Sequence, residues 1–339
     1  MAVSFPTPEA HDSGSPAGRY LDVRARSESL CRSLVLEDYA MQSMADVSPP
    51  KWHRAHTSWF FEEFILRHFV PAYRPFHPRF GYLFNSYYQT VGAMHPRVQR
   101  GLLSRPTTDE IYRYRAQVDL AMLELLDRQT PGEMVGLHER LALGLNHEQQ
   151  HQELLLTDIK HIFAANPLRP AYGDPAAAPP PCPAAAPARW LAQPGGLHDI
   201  GWDGTDFAFD NERPRHRQYL EAFCIESGLV TNAEFLELLD DGGYRRPGLW
   251  LSNGWEALQR QAWEAPLYWE RDGDGWWHMT LHGMRAVDPH APVCHVSFYE
   301  ADAFARWRGA RLPTEAEWET VAAAAPVCGN FYERGRLQP

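Results

Sequence analysis

Residues 167 to 189 read PLRPAYGDPAAAPPPCPAAAPAR, and no regular element can be drawn through them. Proline removes a backbone donor and clashes with the preceding helical turn, while alanine offers almost nothing to bury. The stretch therefore reads as a linker or strap. It parts the chain into two halves of different texture, and a length of 339 residues independently argues for two cores.

The half from about Gly18 to Ala165 has helical periodicity. Leu30, Leu34, Met41 and Met44 outline a first long segment. Ser48-Pro49-Pro50 opens a second through WHRAHTSWFFEEFILRHF, with Ser as cap and Pro in the first turn. Thr107, three residues before Glu110, forms a capping box at the head of a third helix. A fourth runs from about Pro131 to Ala165 and stops before Asn166-Pro167. Four long helices imply a bundle. After Trp190 the chain turns to short β-type runs, frequent Gly and Trp-rich segments such as GLWLSNGW and GDGWWHMTL. Brief helical patterns occur only at TNAEFLELLDD and SFYEADAFARWRG, so this half is expected to be α+β.

Function classes narrow on charge and cysteine usage. A formal charge of −11 lacks the Lys/Arg excess that a phosphate backbone requires, so nucleic acid is not expected as a partner. Cys31, Cys182, Cys224, Cys294 and Cys328 are widely spaced and form no CxxC pair, consistent with a reducing compartment. The N-terminal MAVSFPTPEAHDSGSP has no signal-peptide pattern and no run of eighteen apolar residues occurs, so a cytoplasmic chain without membrane partners is expected.

His147-Glu148-Gln149-Gln150-His151 is the sharpest local feature. Residues four apart share a helix face, so both imidazoles can point into the bundle and hold one metal ion. Chance alone gives about 0.8 such pairs in a chain with 16 histidines, and His278 with His282 is another, set in a probable strand. The first pair gains weight from its long helix and from His53 and His56 on the second helix. Periodicity does not choose between those two: His56 shares a stripe with Trp52 and Trp59, His53 with Phe60 and Phe64. Three neutral imidazoles suit iron or zinc with positions left open. HEQQH also matches HExxH, in which Glu148 would activate water on zinc, although no downstream ligand is evident.

Three segments of the first half, SPPKWHRAHTSWFFEEFIL, FNSYYQTVGAMHPRVQRGLLSRP and LNHEQQHQELLLTDIKHIF, resemble the signatures of ergothioneine-biosynthesis sulfoxide synthases. In the second half, DNERPRHRQYLEAFCI, LVTNAEF, GGYRRPGLWLSNGW and PVCHVSFYEADAFARWRGARLPTEAEWE are similar to the formylglycine-generating, sulfatase-modifying family. The resemblance runs from about residue 18 to the end. It implies a DinB-like four-helix bundle over 18–166, the linker at 167–189, and a C-type-lectin-like domain over 190–339. Family members continue beyond the point matching Pro339, so it also implies an incomplete second domain, self-association through uncovered surface, and metal binding that outlasts turnover.

By the same resemblance His56, His147 and His151 are ligands of Fe(II), with O2 as co-substrate, and His53 is structural. Gln150 is implied to help hold the imidazole substrate, and Arg97 and Arg100 to lie near the thiol's carboxylate, a task suited to guanidinium. Tyr87 and Tyr88 match a tyrosine pair whose phenol assists sulfoxide formation. The implied substrates are trimethylhistidine (hercynine) and either cysteine or γ-glutamylcysteine. The competing readings are a zinc hydrolase and a non-catalytic, degenerate member of the family. Arg311 to Glu319 is expected to be a fold signature, with Thr314 as a helix cap and no chemistry.

Overall fold

The computed structural model describes residues 14–128, 136–184, 187–273 and 275–337. The chain divides into two compact units between Tyr172 and Gly173.

The first unit is built on four helices. In α1 (Pro16–Leu30), Ser15 caps by accepting from Gly18 N at 3.0 Å. The expected continuation to Met44 does not form. Asp38 instead accepts Val35 N–H at 2.9 Å, a short 3₁₀ turn follows at Leu36–Ala40, and Met41 and Met44 are exposed. The helix closes instead at Cys31, whose N–H returns to Glu28 O, and the exposed Met41 and Met44 supply no burial that would favour a longer helix.

Helix α2 (Pro50–Phe61) begins where the proline pair predicts, and all twelve of its residues are buried, as in a helix surrounded by others. Ser48 is not its side-chain cap: its N–H donates to Asp158 Oδ2 at 2.9 Å and its hydroxyl accepts from Arg100. One π turn, Glu62–Leu66, carries the helix on. There Glu62 accepts from Tyr73, Tyr114 and the Phe76 amide, which ties the turn to its neighbours. Helix α3 (Thr108–Asp127) carries the expected box, Thr107 Oγ1 accepting from Glu110 N at 3.1 Å and Glu110 accepting from Thr107 N at 2.8 Å. Helix α4 (Leu137–Ala165) ends at the predicted stop; the expected start near Pro131 lies outside the described residues.

Tyr20, Val23, Trp59, Phe60, Phe61, Ile111, Tyr114, Val118, Met122, Leu137 and Leu141 form the core of this unit. Gly144 lets α4 approach α2 closely, since a Cβ there would stand 2.6 Å from the Phe61 ring. A buried ionic cluster lies within the same core. Arg24 pairs with Asp119 (2.7 Å) and Glu148 (2.9 Å), Arg115 pairs with Glu148 (2.7 Å), and Arg54 pairs with Glu28. Arg115 Nε also lies 2.6 Å from Glu28, without the alignment of a hydrogen bond.

The second unit mixes short strands and helices. Its strands are β1 (Trp190–Gln193), β2 (Gly196–Ile200), β3 (His216–Leu220), β4 (Phe223–Glu226), β5 (Trp269–Asp272), β6 (Gly275–Thr280) and β7 (Gly283–Ala286). They pair antiparallel as β1–β4, β2–β3 and the meander β5–β6–β7. Its helices are α5 (Asn232–Asp240), α6 (Ser252–Gln261), α7 (Phe298–Trp307) and α8 (Glu315–Ala322). Thr231, Ser297 and Thr314 cap three of them with reciprocal boxes. Helix α6 was not legible as a helix: GLWLSNGW has the look of loop and strand, but Gly254 fits against the Tyr299 ring and Leu258 enters the core. Residues from Gly173 onward in the Pro/Ala stretch hydrogen-bond to this unit, Gly173 N to Leu281 O (2.8 Å) and Cys182 N to Asp288 (2.6 Å). Arg311 grips Glu317 through both guanidinium nitrogens, and Glu319 accepts Gly201 N–H at 2.6 Å, so the RLPTEAEWE segment fastens α8 to its surroundings. No helix among the described residues is long and apolar enough to cross a membrane.

Candidate metal centre

A four-residue step on α4 sets His147 and His151 on one face, and α2 brings His56 against them. One donor atom from each of the three rings lies within 4.8 Å of the others. His56 Nε2 and His147 Nε2 are 3.2 Å apart, the spacing two nitrogens about 2.1 Å from one ion take at an angle of roughly 100°. The His56 Nδ1 proton goes to Phe84 O at 2.5 Å, leaving Nε2 as a bare lone pair. A lone pair facing His147 at 3.2 Å needs either a proton on His147 Nε2 or a cation between the rings. His147 Nδ1, buried with no partner among the described residues, can carry that ring's proton in the second case. The donor set fits a metal ion.

Aromatic side chains wall the site. His56 stacks with Trp52 (centroids 4.5 Å apart) and Trp59 (5.4 Å), and His147 stacks with Phe60 (4.5 Å). Burial holds His147 down to about 4 and pushes His56 and His151 well below the ordinary imidazole range; for the latter two, the neighbouring imidazoles add to the effect. All three are thus neutral at pH 7, the form that ligates metals.

His53, which periodicity left level with His56, is not free to ligate. Its Nδ1 meets His151 Nδ1 at 2.9 Å and its Nε2 meets Asp158 Oδ2 at 2.8 Å. Asp158 was not singled out from the sequence, although a signal existed: it falls seven residues after His151, on the His147–His151 stripe. Among the described residues no group of three potential ligands includes either member of the second candidate pair. His278 lies in β6, and His282, in the turn before β7, directs Nδ1 to Asp174 O at 2.9 Å.

Glu148 cannot serve as the water-activating base of an HExxH site as it stands. It is fully buried, accepts from Ser27 (2.6 Å), Arg24 (2.9 Å) and Arg115 (2.7 Å), and is held down to about 2 against burial by those two arginines.

The remaining candidates occupy different surroundings. Arg100 is buried and lies 3.4 Å over the Trp52 ring, with hydrogen bonds to the hydroxyls of Ser48 (2.8 Å) and Ser86 (3.4 Å). No carboxylate pairs with it among the described residues, its Nε has no partner, and burial and Arg97 hold it down to about 10, still charged at neutral pH. Arg97 is exposed and donates to Tyr87 Oη at 2.8 Å and to Asp46 O. Tyr87 is exposed, whereas Tyr88 is half-buried against Trp59, Phe60 and Phe64, and its burial raises the phenol. Gln150 lies on the exposed side of α4. None of the five cysteines forms a disulfide among the described residues.

Residues 176–338 match the sulfatase-modifying factor enzyme 1-like domain family. The chain is 35% identical over 317 residues to a hercynine oxygenase of Mycolicibacterium thermoresistibile, covering 91% of this chain and 66% of the relative. It is 35% identical over 303 residues to a hercynine oxygenase of Mycolicibacterium smegmatis, covering 86% of this chain and 66% of the relative. A formylglycine-generating enzyme of Streptomyces coelicolor is 36% identical over 183 residues, covering 49% of this chain. The chain thus spans just under two thirds of the length of the two hercynine oxygenases.

Proposed function

We propose, on the premise that the chain is hercynine-oxygenase-like over 91% of its length, that it is an iron(II)- and O2-dependent sulfoxide synthase of ergothioneine biosynthesis. It would join the imidazole carbon of trimethylhistidine to the sulfur of cysteine or γ-glutamylcysteine. An imidazole C–H, a thiol S–H and O2 give a C–S bond, an S–O bond and water. O2 accepts four electrons, two from carbon–sulfur coupling and two from oxidation of the sulfide, so no outside reductant is required. In this reading the first half is a DinB-like bundle and the second a C-type-lectin-like domain.

The observation that carries the proposal is the convergence of three neutral imidazoles, His56, His147 and His151, inside an aromatic shell. The three imidazoles would hold iron(II), which would supply one-electron activation of O2. The aromatic walls help to bury His56 and His147, while His151 stays partly exposed. Arg100, charged and with no carboxylate in salt-bridge contact among the described residues, would receive the thiol substrate's carboxylate, with Arg97 adding positive potential. Tyr88 keeps its proton at neutral pH and can deliver it to the developing sulfoxide side, whereas Tyr87 is engaged by Arg97. Gln150 would contact the imidazole substrate from α4. The commitment of Glu148 to two arginines weighs against a zinc hydrolase.

The test is anaerobic iron loading, then oxygen with trimethylhistidine and each thiol in turn, read by mass spectrometry. A sulfoxide conjugate formed by the chain and lost in His56→Ala and His151→Ala is expected. Iron uptake without any conjugate refutes the activity, and the productive thiol names the donor.

A further inference from the structure

We propose that His53 is a positioning residue which, with Asp158, sets the tautomer of His151 and thereby presents His151 Nε2 as a metal ligand. The inference rests on the reading of His56, His147 and His151 as a metal centre. It begins at Asp158, whose Oδ2 receives Ser48 N–H at 2.9 Å and faces His53 Nε2 at 2.8 Å. A carboxylate only accepts, so the His53 proton belongs on Nε2. With that single proton on His53, its Nδ1 is bare, and His151 Nδ1, 2.9 Å away, carries the proton and donates. His151 Nε2 is left as a lone pair. The order of donation runs from Ser48 N–H and His53 into Asp158, and from His151 into His53.

The same requirement is met at His56 by other means, through Nδ1 donating to Phe84 O. An imidazole whose far nitrogen donates to an oriented acceptor is both a better base and less free to rotate, and partners of this kind are worth 10- to 100-fold in metal affinity. His53 and Asp158 are nearly inaccessible to solvent, at 4% and 9% exposure, so water does not substitute readily for either. The chain also joins helices: His53 belongs to α2, His151 and Asp158 to α4, so ligand orientation and helix docking depend on the same two hydrogen bonds.

Cobalt(II) titration of the full chain, followed through its visible ligand-field bands, tests this alongside nitrogen-detected NMR of the chain carrying ¹⁵N-histidine. Wild type is expected to bind. His53→Leu, which fills the space but neither donates nor accepts, is expected to bind about 10- to 100-fold more weakly. His53→Gln, whose amide can accept from His151 and donate to Asp158, is expected to recover most of the affinity; a packing role would rank the two variants the other way. In the metal-free wild type, NMR is expected to find His151 protonated on Nδ1 and His53 on Nε2, with the signals identified by their loss in His53→Gln and His151→Ala. Cobalt binding by His53→Leu at wild-type affinity, or a His151 proton on Nε2, overturns the proposal alone. A wild type that takes up no cobalt overturns the metal reading and the proposal together. The NMR measurement stands even if His53→Leu fails to fold.

Discussion

At the scale of single residues, the decisive property is which atoms are already taken. His147 and His151 were legible from their spacing, but His53 and His56 were not separable by pattern, because both lie on buried stripes of one helix. What separates them is what the nitrogens face: His53 turns Nε2 to the Asp158 carboxylate and Nδ1 to His151, whereas His56 gives Nδ1 to Phe84 O and turns Nε2 towards His147 Nε2. Glu148 was equally opaque: its partners Arg24 and Arg115 are remote in sequence, and no local pattern announces them. Removing its charge in Glu148→Gln leaves Arg24 and Arg115 facing a neutral amide. We expect a loss of roughly 3 kcal/mol or more in urea unfolding, with cobalt binding retained by the folded fraction. Acid adds a signed test. The Glu148 carboxyl sits at about 2 when folded against an ordinary 4.5, so the folded state holds that proton less tightly than the unfolded one. Its contribution is present above about pH 4.5 and is lost as pH falls towards 2, while Glu62, raised by burial, acts in the opposite sense. The drop in stability between pH 5 and 3 should therefore be smaller in Glu148→Gln than in wild type, and an equal drop would count against the assignment.

At the scale of elements, the capping signals held at Thr107 and Thr314 but not at Ser48, whose hydroxyl is taken by Arg100. Thr107 with Glu110, Thr231 with Glu234 and Thr314 with Glu317 mark helix starts because their hydrogen bonds are local and complete within four residues. Apolar spacing alone misled at Met41 and Met44, which are exposed, and it missed α6, whose Gly254 fits against Tyr299 and whose Leu258 enters the core. The crossing of α2 and α4 depends on Gly144. An added Cβ would stand 2.6 Å from Phe61 and 3.2 Å from Phe60, whose ring stacks on His147. Gly144→Ala is expected to cost about 1–3 kcal/mol and to weaken cobalt binding. A melting temperature and an affinity both unchanged would show that the rings give way without moving the ligand.

At the scale of the whole molecule, every residue of the three-imidazole centre and of its hydrogen-bonded support falls before Tyr172, within a unit that has its own core. A fragment covering residues 14–172 is therefore expected to fold and bind cobalt within a few-fold of the full chain, and failure of that fragment to bind would show that the centre depends on the second unit. The break in composition at the Pro/Ala stretch made the existence of two units readable, but not that residues from Gly173 onward are tied to the second by Leu281, Asp288 and His282. Those pairings join residues about 100 positions apart, which composition does not encode.

The stacking of Trp52 and Trp59 on His56 has an optical consequence. An open-shell ion bound to His56 would lie within a few ångströms of two indoles and open a non-radiative path for their excited states, whereas closed-shell zinc would not. Two of the 12 tryptophans should thus dim when iron(II) or cobalt(II) arrives and stay bright with zinc, giving the chain an internal gauge of occupancy that needs no substrate and no label. Emission that responds equally to all three ions, or to none, would place the ion away from His56.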